Sequence, residues 1–298
     1  MPTVVRCSRL SPAVLALFVA ATGWAVPEAA PDVGALVRAM SEPALRTSVG
    51  ELVAFGSRAV GQPGNDQAAA YLHKRLSAIT GLRVAPLAAP WNNVIATLPA
   101  SDPASVETYI VGAHYDSIAQ PPTAAPGATD NAAGVAVVLE LARILAAHRF
   151  RHTLVFACFN AEERGCAGSR AFVRELVNDR RLPALYLNYD STAFDPEGKL
   201  VLDVMSHEPA AAAKRLLFAC NERYALGFTL VENKHTCASD HTPFREAGCA
   251  AIATHQEVHG AHYHTARDTI DRVSFPYVLR NGQLGLAVLA TLAGPVGR

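Results

Sequence analysis

Apolar residues along the chain fall into short runs of β character separated by longer stretches with helical spacing. NVIATL (93–98), YIVGA (109–113), TLVFACF (153–159), ALYLNY (184–189), LVLDVM (200–205) and CAAIAT (249–254) predict strands. TLVFACF is apolar throughout, as expected of a strand covered on both faces of a parallel sheet. Between these runs, residues 66–76 (DQAAAYLHKRL), 130–147, 167–177, 209–224 and 274–292 predict helices. The 130–147 segment carries apolar residues on most of its faces, so it is expected to be well buried. Alternating strands and helices imply an α/β fold: a single domain with a mostly parallel central β-sheet flanked by helices on both faces. QPPTAAPG (120–127) predicts a surface loop, not a linker, because the strand before it and the helix after it belong to one unit.

Composition narrows the function classes. The chain has 298 residues, half of them hydrophobic and 17% charged, with a formal net charge of zero. That suits a soluble globular enzyme, and the absence of a basic stripe argues against nucleic acid as a partner. A monomer is expected. The first 25 residues read differently, with Arg6 and Arg9 followed by an apolar run from Pro12 to about Ala21 and then small residues. This is the order of a secretory signal peptide cleaved after Ala25, leaving residues 26–298 as the catalytic domain. The run is too short for a comfortable membrane span, so no stable membrane association is expected. A secreted or periplasmic location follows. Five cysteines remain after the signal, an odd number with no C-x-x-C spacing, which predicts a structural role and at least one free thiol beside one or two disulfides.

Candidate chemistry clusters at strand ends. GAHYDS places His114 and Asp116 at the end of YIVGA, and NAEERG places Glu162 and Glu163 just past TLVFACF. Asp190 ends ALYLNYD, HYHTARDT brings His262 and His264 after CAAIAT, and Asp130 opens the 130–147 helix. Each has an ordinary reading alone: a loop histidine, a solvated glutamate pair, a capping aspartate. Ligand sites of open α/β sheets lie outside the carboxyl ends of the strands. Five segments delivering carboxylates and imidazoles to one such edge make a metal site the better reading. Nitrogen and carboxylate oxygen donors suit zinc, and a carboxylate shared between two ions suits a two-metal hydrolase.

The motifs GAHYDS, GATDNAAGVAVVLELAR, NAEERGCAGSRAF, NYDS, ASDHTPF and HYHTARDT resemble, in sequence and order, the M28 family of zinc metallopeptidases. Its best-known members are bacterial secreted aminopeptidases, and the likeness runs from about Asn92 to the C-terminus. The resemblance implies two Zn2+ ions per chain, with His114 and Asp190 on one, Glu163 and His264 on the other, and Asp130 bridging them. It implies Glu162 as general base, Asp116 orienting His114, and peptides with a free N-terminus as substrates. Asp240, His241 and Phe244 of the ASDHTPF segment are candidates for substrate contact. Two further readings share the fold: a single-zinc acyltransferase like glutaminyl cyclase, which favours Trp where this chain has Tyr263, and a carboxypeptidase, for which Arg164, Arg170 or Arg267 would hold the substrate carboxylate.

Overall fold

A computed structural model describes residues 32–233 and 237–297. Its strands are β1 (Arg83–Val84), β2 (Val94–Leu98), β3 (Thr108–His114), β4 (Arg149–Phe150), β5 (Thr153–Phe159), β6 (Leu185–Tyr189), β7 (Val201–Met205), β8 (Thr229–Glu232), β9 (Ala251–Gln256) and β10 (Pro295–Val296). The helices are α1 (Val33–Arg38), α2 (Glu42–Val53), α3 (Pro63–Ser77), α4 (Ala133–Leu145), α5 (Ala167–Asn178), α6 (Ala211–Arg223), α7 (His241–Glu246) and α8 (Phe275–Ala293). Eight strands form one sheet in the order β1-β2-β5-β3-β6-β9-β7-β8, and β4 pairs separately with β10.

The centre of the sheet, β5-β3-β6-β9, is parallel throughout. Flanking it, β2 and β7 run the other way. The four central strands therefore present their carboxyl ends along one edge, side by side. Val111 of β3 stands opposite both Phe156 and Leu187, which fixes the register. Strand alternation then sorts the side chains. Val111, Ala113, Leu154, Phe156 and Leu187 face the larger core, shared with α1, α2, α4 and α8. Ile110, Val155, Ala157, Phe159 and Tyr186 face a smaller core against α5 and α7. The α/β domain thus has helices on both faces, as the alternation of elements implies.

Every residue of α4 except Arg143 is buried, in keeping with the apolar character of the segment on all sides. Each Leu or Val placed there contributes about 1.5–3 kcal/mol relative to exposure. The one buried acid of the helix, Glu140, is satisfied by both Nε and Nη2 of Arg143 at 2.7 Å and by the Ser41 N–H at 3.1 Å. The helix begins later than the sequence predicts, because Asp130 (φ −135°) and Asn131 (φ −136°) are not helical. The last central strand likewise starts at Ala251 and not at Cys249, since Gly248 (φ 86°) still belongs to the turn. The edge strand β8 and helices α1, α2 and α7 are additions to the elements expected.

The proposed signal segment 1–25 lies outside the described residues. Among the described residues all five cysteines are unpaired, four buried and Cys237 exposed, so the expected disulfides are not formed. No described helix is long and apolar enough to cross a membrane.

Candidate metal centre

The parallel block delivers its side chains to a single edge. His114 is the last residue of β3, and Asp190 directly follows β6. Glu162 and Glu163 open a 3-10 turn just after β5. Asp130 precedes α4, and His264 lies in the loop after β9. Three of these positions depend on left-handed backbone at non-glycine residues: Ala161 (φ 59°) before the glutamates, Ser191 (φ 48°) after Asp190, and His264 itself (φ 56°). Such conformations cost about 1–3 kcal/mol each and persist where the surroundings fix them, typically at functional sites.

The two oxygens of Asp130 divide between two imidazoles. Oδ1 lies 3.2 Å from His114 Nε2, and Oδ2 lies 3.0 Å from His264 Nε2. Asp190 Oδ1 approaches His114 Nε2 to 3.3 Å, and Glu163 Oε2 approaches His264 Nε2 to 3.4 Å. A tetrahedral ion with bonds of about 2.0–2.1 Å places its ligand atoms about 3.3–3.4 Å apart. The observed spacings of 3.0–3.4 Å match those edges. Two sets of donor atoms gather within 4.8 Å: His114 with Glu162 and Asp190, and His114 with Asp130 and Glu163. Asp130 Oδ1 and Glu163 Oε1 are buried with no donor in hydrogen-bonding geometry. Buried carboxylate oxygens of that kind are costly unless a cation meets them. The donor set fits zinc.

Electrostatics make the same demand. Burial pushes the Glu162 carboxyl up to about 9, against the opposing pull of His114, and pushes Glu163 up to about 7, helped by Asp130. Burial alone would weaken proton binding at His264, yet Asp130 and Glu163 raise it to about 10. His114 is raised well above its ordinary value in the same way, by Asp190 above all, against its burial. Asp130 is held low, despite burial, by the two imidazoles. This cluster of buried acids favours positive charge beside it, and the raised affinity of both imidazoles for a proton expresses that preference.

A second layer fixes these groups. The carboxylate of Asp116 accepts the backbone N–H of Glu162 at 3.1 Å and of Glu163 at 3.2 Å, tying the end of β3 to the turn after β5. His114 Nδ1 lies 3.2 Å from the Asp116 carbonyl oxygen and 3.5 Å from its carboxylate. Asp116 thus faces the imidazole mainly through its backbone, while its side chain holds the glutamates. Two residues to which the sequence reading gave no role complete the layer. Asp268 accepts from Thr129 N at 3.0 Å, Thr129 Oγ1 at 2.8 Å and Asp130 N at 3.1 Å. It stands in the HYHTARDT motif, four residues past His264, and its position there was the available signal. Asn131 Oδ1 accepts from Gly134 N at 3.2 Å and its Nδ2 donates to the Tyr189 carbonyl at 2.8 Å. The start of α4 is therefore capped by Asn131, and Asp130 is left for the imidazoles.

The remaining candidates separate. Asp240 is buried near His114, Asp116 and Asp190, and burial pushes its carboxyl up to about 7. His241 opens α7, buried, with Nδ1 lacking a partner among the described residues. Neither joins the two donor sets. Phe244 is fully buried, stacked on Tyr186 with centroids 3.9 Å apart, so it is a core residue and not a substrate contact. His262 packs edge-on against Phe194, while Tyr263 stacks on His264 with centroids 3.7 Å apart. Arg164 donates to the Val60 carbonyl, Arg267 to the Ala261 carbonyl, and Arg170 pairs with Glu246.

The model of peptidase family M28 matches residues 93–289. A probable leucine aminopeptidase of Trichophyton verrucosum is 33% identical over 217 residues, covering 67% of this chain and 57% of that protein. This chain therefore spans little more than half of that relative's length. Among solved structures, the LapA aminopeptidase of Legionella pneumophila superposes with a TM-score of 0.79 at 17% identity, covering 89% of this chain and 75% of that one. BSAP, a zinc aminopeptidase from Bacillus subtilis, gives a TM-score of 0.60 at 26% identity, covering 68% of this chain and 50% of that one.

Proposed function

The chain belongs to peptidase family M28, and from that premise we propose that it is an aminopeptidase dependent on two zinc ions, releasing single residues from the N-terminus of peptides. The observation that carries the reading is Asp130, whose two oxygens serve two separate imidazoles at 3.2 and 3.0 Å. His114 and Asp190 would hold one ion, Glu163 and His264 the other, with Asp130 between them. A single-zinc cyclase would use one of these half-sites, and this chain has Tyr263 where that group favours Trp. Bound zinc supplies Lewis acidity toward the scissile carbonyl and lowers the pKa of the attacking water.

The residues of the chain do the rest. Glu162 brings a carboxylate oxygen within 4.8 Å of His114 and Asp190. It takes the proton of the attacking water and returns it to the leaving amine. The Cys166 thiol, 3.4 Å from Glu162 Oε1, holds the side chain from one side. Asp116, through the two backbone N–H groups it accepts, keeps Glu162 and Glu163 in step with His114. The unblocked substrate amine, as a cation, is drawn to this acidic edge. The N-terminal pattern of two arginines, an apolar run and small residues supports export to the periplasm or beyond.

The test measures zinc content together with hydrolysis of a leucine chromogenic amide, before and after chelation. Two zincs per chain, activity lost to the chelator and restored by zinc are expected. Glu162→Gln should keep both ions and lower kcat by about 10²–10⁴-fold. Zinc-independent hydrolysis, or full turnover by Glu162→Gln, would overturn the mechanism.

A further inference from the structure

Arg58 is fully buried, and among the described residues no carboxylate comes within ion-pairing distance of it. Its guanidinium is spent on backbone carbonyls. Nε donates to Tyr115 at 2.8 Å, Nη2 to Gly127 at 2.8 Å, and Nη1 to Pro126 at 2.5 Å and Leu52 at 3.3 Å. Its own N–H donates to Ser117 Oγ at 3.1 Å, and that hydroxyl donates to the Ala125 carbonyl at 2.7 Å. Burying a cation among neutral acceptors is expensive, so a site that keeps one has to gain something from its shape or its charge.

The acceptors show what is gained. Tyr115 stands between His114 and Asp116, and Pro126–Gly127 lead into Thr129 and Asp130. One planar fork therefore holds together the two loops that bring in His114 and Asp130, which meet 3.2 Å apart on its far side. The packing leaves no slack. A Cβ at Gly127 would lie 3.0 Å from Arg58 Nη2, 2.7 Å from Ser117 Cβ and 2.5 Å from the Asp130 carbonyl oxygen. The charge is also well placed. Burial lowers the guanidinium to about 10, and Asp268, Asp116 and Asp130 pull it back up, so it stays a cation behind the acids of the centre.

We propose that Arg58 is a positioning residue of the metal centre: through the carbonyls of Tyr115 and Gly127 it sets the separation of His114 and Asp130. The proposal rests on the reading of those two residues as zinc ligands. Lysine is the informative replacement, since it keeps the charge but cannot donate in a fixed fork to both loops and to α2 at once.

The experiment compares wild type, Arg58→Lys and Arg58→Met for zinc affinity by chelator competition on the folded protein, for thermal stability without metal, and for kcat and KM on the chromogenic amide. Loss of an outer partner of a metal ligand typically costs about 10–100-fold in metal affinity. A loss of that size is expected for Arg58→Lys, with kcat falling and KM moving less than about 3-fold. If Arg58 only stabilises the fold, melting temperature falls while the zinc affinity and kcat of the folded protein stay at wild-type values, and the proposal fails. Should neither variant fold, Ser117→Ala loosens the same junction and is expected to weaken zinc binding severalfold; unchanged affinity there also overturns the proposal. Absence of zinc binding in the wild type would instead remove the reading of the ligands.

Discussion

Replacing Gly134 by alanine sets two physical effects against each other. Within a helix, Gly→Ala is worth about 1 kcal/mol of stabilisation from backbone propensity. At this position a Cβ would stand 2.3 Å from Asn131 Oδ1 and 2.9 Å from the Tyr189 carbonyl oxygen. Neither has room to retreat. Tyr189 ends β6, which is hydrogen-bonded between β3 and β9. Asn131 is held on both sides, accepting from Gly134 N at 3.2 Å and donating to Tyr189 O at 2.8 Å. The methyl group must displace that side chain, leaving a buried N–H and a buried C=O without partners at about 1–3 kcal/mol each. Subtracting the propensity gain leaves a net loss of about 3 kcal/mol. Urea unfolding of the metal-free protein, followed by circular dichroism, measures it directly. Because Asn131 adjoins Asp130, zinc affinity should weaken as well. Equal or greater stability of Gly134→Ala would show that the Asn131 bridge does not hold the start of α4.

Two further outcomes follow from the same geometry. Asp130→Ala removes the carboxylate shared by His114 and His264, so zinc content should fall below one per chain and hydrolysis should disappear; wild-type zinc content would show that Asp130 holds no metal. Burial lowers His241 to about 4 from an ordinary value of 6.5. The unfolded chain therefore takes up this proton first, so stability falls as pH drops from 6.5 toward 4, by about 3 kcal/mol when complete. His241→Gln removes that penalty, and the stability difference between wild type and variant should shift by this amount across the window; a difference independent of pH would contradict it.

The sequence was legible where burial imposes a rhythm. TLVFACF and ALYLNY are covered on both faces, so their composition alone marks them as strands. The edge strand Thr229–Glu232 is only half-covered and carries no such mark. Helices α1 and α7 are six residues each, under two turns, too short for a period to register. The reversed direction of β2 and β7 leaves no trace in their side chains, because direction is decided by connections and pairing. Helix α2 did carry signals: Ser41 caps it, Pro43 stands in its first turn, and Leu45, Val49 and Leu52 line its buried face. The five ligand candidates were visible because a parallel sheet gathers strand ends. The helix is predicted from Asp130, the expected metal bridge, because aspartate caps helices so often, whereas Asn131, one residue on, does the capping. Arg58 had no local signal, since its partners are carbonyls, which every residue owns.

Asp268 reaches back 139 residues to Thr129 and 138 to Asp130, and His264 reaches back 134 to Asp130. Closing loops of that length is entropically costly, and contacts so distant in sequence are the slow ones to form. The loop after β9 carries both His264 and Asp268. Strand β9 pairs with β6 and α8 packs in the larger core, so both ends of that loop are held by the body of the fold. Under the proposed function, a chain whose loop is not yet seated lacks one imidazole of the proposed centre and the carboxylate that braces Asp130, and should not hydrolyse peptides.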